Sequence, residues 1–218
     1  MRPGFKIWRA VLDKYVEMRR DLTEKFLGSL SLEPPYSAPV TAVIHCYAKA
    51  RFEKLYGPQQ LIPQRTAVLM GSVFELAVKV LLEGYPPPHH YSYKVYRSED
   101  GFEFTLHAAP DLVLDNEVVE LKFTTAPLEN LPMDHHEMQL KLYMNVYGMP
   151  GRLIYLTPSG VREYEYGLEE ALPDGEVIKL GREFFLEKRS PRYEWECQYC
   201  PYRSMCPLAI SKREQERT

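Results

Sequence analysis

With 218 residues, 45% of them hydrophobic and 26% charged, the chain is long enough for one large domain or two small ones with a buried core. This composition excludes a disordered, fibrous or collagen-like protein, and no stretch approaches the ~20 apolar residues of a membrane span. The net charge of −3 is unevenly spread: residues 1–56 hold ten Lys/Arg against six Asp/Glu and residues 177–218 nine against six, leaving eight against eighteen in residues 57–176. An acidic centre suits a metal-binding site and basic ends suit phosphates, although ordinary solvated faces give the same counts.

The first predicted helix covers residues 5–27, where Phe5, Trp8, Leu12, Tyr15, Val16, Leu22 and Phe26 recur near helical spacing and Gly28 is a stop. Charges run through this N-terminus with no apolar signal region, so the sequence reads as intracellular and cytoplasmic. Residues 29–39 read as a connector. A second helix is expected over 38–56, with Cys46 in its middle and a stop at Gly57-Pro58. A third is expected over 65–83, ending at Gly84 and the Pro86-Pro87-Pro88 run.

The pattern then changes to strands at 91–97, 102–114 (with a bend near Ala109-Pro110) and 118–124, read as one antiparallel meander. A helix over 134–147 follows, with Asp134 and Glu137 at capping-box spacing and Gly148 as its stop. Strands 152–158 and 161–167 make a second hairpin, and a helix over 175–189 leads into a cysteine-rich tail. The order of elements is that of a mixed α/β domain with a central sheet flanked by helices.

The chemistry concentrates in residues 107–125. Asp111 follows Pro110, and Glu120-Leu121-Lys122 lies across the Asp115-Asn116 turn. Alternation along a strand places Glu120 and Lys122 on one face and Val119 and Leu121 on the other. Two carboxylates suit Mg²⁺ or Mn²⁺, to which the Leu121 carbonyl could add a backbone ligand. A metal there activates water, and a lysine orients it or stabilises transition-state charge. The plainer alternative is an exposed cross-strand ion pair. Glu75 lies upstream, four residues after Gly71 and at i,i+4 to Lys79, where a surface ion pair is the alternative. Gln139 and Tyr143 share one helix face. His135 and His136 open the same helix and read as an exposed helix start, and His45 and His107 read as equally bland.

Cys197, Cys200 and Cys206 cluster in the tail, and Cys46 is remote. Four thiolates suit an iron–sulfur cluster or Zn²⁺. For stacking and phosphate contacts on single-stranded DNA the sequence offers Tyr47, Tyr56, Tyr91, Tyr93, Tyr199 and Tyr202 with Lys49, Arg51, Arg192 and Arg203. Tyrosines that cap the core with wet hydroxyls are the alternative.

Pro110-Asp111 followed by Glu120-Leu121-Lys122 resembles the signature of the PD-(D/E)xK nuclease superfamily. Gly71 with Glu75, and Gln139 with Tyr143 as a QxxxY element, resemble its RecB-type branch. That branch usually has histidine where this chain has Glu75, which changes the expected coordination. One distant cysteine plus three in the tail resembles the iron–sulfur members, and the absence of a Walker sequence points among them to the CRISPR-associated exonucleases, Cas family 4.

The resemblance spans about Cys46 to Pro207. It implies a restriction-endonuclease-like core and an iron–sulfur region joining the N-terminal helix to the tail. Residues 1–64 form a helical region, 65–190 the nuclease core and 191–218 the cysteine tail. It implies catalysis by Asp111, Glu120, Lys122, Gln139 and Tyr143, with metal held by Glu75, Asp111, Glu120 and Leu121. Cys46, Cys197, Cys200 and Cys206 would hold a [4Fe–4S] cluster, with [2Fe–2S] or zinc as alternatives. The implied activity is 5′→3′ degradation of single-stranded DNA or frayed ends during CRISPR spacer acquisition, beside the CRISPR integrase complex. A repair or recombination nuclease of the same branch and a non-catalytic, cluster-bearing DNA scaffold are the alternatives.

Overall fold

Residues 92–97 and 103–108 each alternate polar and apolar side chains. They pair antiparallel across the Ser98–Gly101 turn, where the Ser98 carbonyl accepts the Gly101 N–H. The structure, a computed structural model, describes residues 3–57, 66–85 and 87–210. Pro58, Pro86 and the boundary drawn at 64/65 lie outside the described residues.

In chain order the elements are α1 (Pro3–Gly28), β1 (Tyr36–Pro39), α2 (Val40–Val43), α3 (Tyr47–Tyr56), α4 (Thr66–Glu83), β2 (Ser92–Arg97), β3 (Glu103–Ala108), β4 (Leu112–Leu114), β5 (Glu117–Phe123), α5 (Asp134–Tyr147), β6 (Gly151–Thr157), β7 (Gly160–Tyr166), α6 (Asp174–Phe185) and α7 (Glu196–Tyr199). The α/β class with helices on the sheets agrees with the sequence.

The strands form two sheets, one ordered β1-β3-β2 and the other β4-β5-β6-β7. In the first, β1 runs parallel to β3; in the second, β5 runs parallel to β6 between two antiparallel pairs. The meander expected over 91–124 is therefore broken. At Ala109-Pro110-Asp111 the chain leaves one sheet and enters the other, because proline cannot continue a ladder. β1 lies in the segment read as a connector, where Ala38 is buried and the strand pairs with β3.

The expected 38–56 helix is also broken. Ile44 to Cys46 interrupt it, and Cys46 has extended backbone at the start of α3 instead of sitting mid-helix. The last long helix stops at Phe185. At the start of α5 the capping box does not form: Met133 occupies the cap position, and Asp134 and Glu137 lie in the first turn, where their charge favours the helix dipole.

The main core joins β1, β3 and β6 to α2, α5 and α6, with Phe104, Leu106, Leu140, Met144, Leu153, Tyr155, Phe184 and Phe185 nearly inaccessible. A smaller core packs Leu112, Val119 and Leu121 against Phe74 and Val78 of α4. Gly71 allows that approach: a Cβ there would stand 3.3 Å from the Phe123 Cβ. Burying some ten large side chains at roughly 1.5–3 kcal/mol each gives the strands a firm frame for polar groups.

Candidate active site and cysteine cavity

β5 presents two chemically different faces. Val119 and Leu121 enter the smaller core beneath α4, while Glu120 and Lys122 face α5. Glu120 is 3% exposed. Its Oε1 accepts the Lys122 ammonium and the Gln139 Nε2 amide, the latter at 2.7 Å. Gln139 Oε1 accepts Lys122 Nζ at 3.2 Å, and Gln139 Nε2 also donates to the Tyr143 hydroxyl at 3.0 Å. One amide thus fixes both the carboxylate and the lysine. The four-residue spacing of Gln139 and Tyr143 on α5 stacks them on one face.

Asp111 arrives from the sheet switch. Its Oδ2 accepts the Leu121 backbone N–H at 2.8 Å. β4 pairs with β5 only as far as Leu112 opposite Val119, so Asp111 occupies the edge that β4 leaves uncovered. Strand geometry puts the Leu121 carbonyl on the same edge as its N–H. On α4, Lys79 Nζ lies 2.7 Å from Glu75 Oε1 and 3.0 Å from Asp111 Oδ1.

The electrostatics follow from this crowding. Burial and the Asp111 charge push Glu120 up to about 8, against the pull of the Lys122 ammonium. Burial alone would lower Lys122, but Glu120 and Asp111 outweigh it and hold the ammonium charged. Burial also raises Glu75, and the Asp111 charge adds to it. Burial keeps Tyr143 a neutral phenol.

The oxygen-rich donor set fits a divalent cation. Glu120 Oε2 supports this: it is buried without a hydrogen-bond partner, a costly arrangement unless something else binds it. Among the described residues, no three His, Cys, Asp or Glu side chains form a group that could hold one metal ion. Lys79 stands between Glu75 and Asp111, and Lys122 pairs with Glu120.

Cys46, Cys197, Cys200 and Cys206 are free thiols that line one cavity with Lys49, Phe52 and Arg203. Burial pushes the Cys46 and Cys200 thiols up. Glu196 holds the cavity's two chain segments together. Its Oε1 accepts the Cys46 N–H at 2.9 Å and faces His45 Nδ1 at 3.0 Å, and its Oε2 accepts the Arg192 and Tyr193 N–H groups at 2.9 Å. No sequence pattern singled out Glu196. Four thiols on one cavity beside Lys49 and Arg203 are the donor type that iron–sulfur clusters and zinc take.

His45, His107, His135 and His136 are partly buried, not exposed. His136 Nδ1 is 2.9 Å from the Tyr155 hydroxyl, and His135 packs among His45, Tyr193 and Trp195. His107 lies between Ser37 and Tyr91. The proposed DNA contacts divide. Tyr56, Tyr91, Tyr93 and Tyr199 are exposed, whereas Tyr47 and Tyr202 belong to the core, with the Tyr202 hydroxyl donating to the Gly57 carbonyl. Arg192 is buried against Glu183 and is unsuited to phosphate. Lys49 and Arg203 border the cysteine cavity, and Arg51 is exposed.

The chain belongs to the PD-(D/E)XK nuclease superfamily, whose family model matches residues 46–207. Nucleases of this superfamily use divalent metals, and the chain is a nuclease by that membership. Among curated proteins it is similar to the CRISPR-associated exonuclease Cas4 of Saccharolobus solfataricus, at 27% identity over 181 residues that cover 79% of this chain and 88% of the relative. A solved structure, "Crystal structure of SSO0001", shares the fold with a TM-score of 0.77 and 23% identity, covering 94% of this chain and 98% of the other. No described helix is long and apolar enough to cross a membrane.

Proposed function

We propose that this protein is a divalent-metal-dependent DNA exonuclease with an iron–sulfur cluster, acting in the cytoplasm on single-stranded or frayed DNA in the 5′→3′ direction. One observation carries the nuclease site: Asp111 grips β5 at Leu121, between Glu120 and Lys122, beside a buried Glu120 oxygen that has no partner. The three carboxylates do not converge as they stand, with Lys79 between Glu75 and Asp111, so Glu75, Asp111, Glu120 and the Leu121 carbonyl would hold Mg²⁺ or Mn²⁺ only after closing around it. The metal supplies an activated water and neutralises charge on the phosphate.

The chain's own groups do the rest. Lys122, held by Glu120 and Gln139, directs its ammonium at the attacking water or at developing phosphate charge. Gln139 keeps Glu120 and Lys122 in register, and Tyr143 anchors Gln139. Residues 65–190 serve as the nuclease core, residues 1–64 bring Cys46, and residues 191–218 bring the other three cysteines. The cluster staples the two ends; four thiols on one cavity support it. The similarity to Cas4 supports a role in preparing DNA for CRISPR spacer acquisition, next to an integrase complex.

Cleavage of single-stranded DNA labelled at one end, with Mg²⁺ or Mn²⁺ and with each end blocked in turn by a nuclease-resistant linkage, tests activity and polarity together. Blocking the 5′ end should stop degradation. Degradation stopped only by a 3′ block would reverse the polarity, and internal cutting insensitive to both blocks would make the protein an endonuclease.

A further inference from the structure

Lys79 is the second lysine of this site, and neither its neighbours on β5 nor the proposed catalytic roles account for it. Its ammonium lies 2.7 Å from Glu75 Oε1 and 3.0 Å from Asp111 Oδ1, with its side chain 18% exposed and that of Asp111 12%. The Leu121 N–H takes the remaining Asp111 oxygen. An ammonium at hydrogen-bonding distance from both carboxylates fills the space that a cation shared by them would need, since Mg²⁺ requires oxygens at about 2.0–2.1 Å. The two occupants exclude each other.

We infer that Lys79 is a resident counter-cation that closes the Glu75–Asp111 site until a divalent metal displaces its ammonium. This rests on the metal-dependent nuclease reading and goes beyond it.

The arrangement has three consequences. Without metal, Lys79 spares the largely buried Asp111 the cost of an unpaired carboxylate and pairs with Glu75, whose side chain is 38% exposed. Metal must compete with a tethered cation, so the apparent affinity is lower than the donor set alone would give. The displaced ammonium, on a flexible four-carbon stem one turn from Glu75, remains within reach of a bound phosphodiester. Lys79 is thus a positioning residue that sets when the carboxylates are free to bind metal.

Two measurements on the full chain test this, both with Mn²⁺ alone as the probe. Free Mn²⁺ would be titrated by electron paramagnetic resonance against the wild type and Lys79→Met, with circular dichroism checking the fold. The second measurement needs no variant: an amine-reactive reagent labels the wild type with and without saturating Mn²⁺, and mass spectrometry reads modification at Lys79. Displacement predicts Mn²⁺ binding about tenfold or more tighter in Lys79→Met, the direction set by removing a competing charge. It also predicts Lys79 labelling that rises several-fold with Mn²⁺. Unchanged or weaker Mn²⁺ binding in a folded variant overturns the inference. So does tighter binding with unchanged labelling, which is what a charge acting at a distance would give. A wild type that binds no Mn²⁺ at all would overturn the metal-nuclease reading itself, a result separable from either of these.

Discussion

Asp111 and Leu121 are joined by one hydrogen bond, from the Leu121 N–H to Asp111 Oδ2 at 2.8 Å. The bond closes the gap left where β4 ends. It also explains why a carboxylate from the sheet switch and two side chains from β5 share one locus. The site therefore depends on the break between the sheets: a continuous meander would have used the Leu121 N–H in its ladder.

Lys122→Ala removes the ammonium that bridges Glu120 and Gln139. Cleavage should fall by at least about 10²-fold, the scale of losing one preorganised electrostatic stabiliser. DNA binding should change little, but the unfolding midpoint should fall, because the buried Glu120 carboxyl loses its charged partner and keeps only Gln139. Single-turnover cleavage beside a denaturation curve checks this; full activity would remove Lys122 from the mechanism.

Gln139→Leu leaves Glu120 with the Lys122 ammonium alone and deprives the Tyr143 hydroxyl of its donor. Each buried group left unsatisfied costs about 1–3 kcal/mol, so urea unfolding should show a loss of this size together with slower cleavage. Tyr143→Phe removes only the far end of the chain and should cost less on both counts.

Glu120 links metal to pH. Its value in the metal-free fold, about 8, stands above the ordinary carboxylate value. The proton it keeps stabilises the metal-free fold at low pH, and that contribution is lost as pH rises through 8. Metal requires the carboxylate, so metal binding should release protons while Glu120 is protonated, and apparent affinity should rise with pH. Calorimetric metal titration in two buffers of different ionisation heat reads that proton directly.

His135 and His136 act in the opposite range. Burial, with the nearby His45 and Lys122 charges, lowers His135 to about 4; burial, with Lys122 and His135, lowers His136 to about 2. Both are neutral in the fold, so their contribution is complete above the unfolded value near 6.5 and is lost as pH falls through the folded values. Urea midpoints should drop from pH 7 to pH 4.5, and His136→Gln should flatten that drop. An unchanged slope would exclude His136 as a contributor.

Cys46→Ala breaks the ring of four cysteines around the cavity. Anaerobically purified variant protein should lose visible absorbance and most of its iron. Unchanged colour and iron would remove Cys46 from the ligand set. Zinc in place of iron in the wild type would make the tail a zinc site.

Much of this site is legible in the sequence because strand alternation and helix spacing are short-range rules. The pairing of Glu120 with Lys122 needs only period two, and that of Gln139 with Tyr143 only a helical turn. The contacts that the sequence hides are long-range. Nothing local says that the Tyr36–Pro39 segment forms a strand beside β3, that Glu196 ties the tail to Cys46, or that Tyr202 turns inward to Gly57. Lys79 shows the limit most clearly. Spacing gives its pair with Glu75, yet only the fold brings Asp111 to the same ammonium.

Metal-dependent phosphodiester hydrolysis at Asp111 underlies every role assigned above. The most direct test compares anaerobically purified wild type with Asp111→Ala on end-labelled single-stranded DNA, with Mn²⁺ and with EDTA, after circular dichroism has matched their folds. The wild type should degrade the strand, EDTA should abolish that degradation, and a folded Asp111→Ala should lack it. Equal cutting by both proteins, or cutting that survives EDTA, would contradict hydrolysis at Asp111.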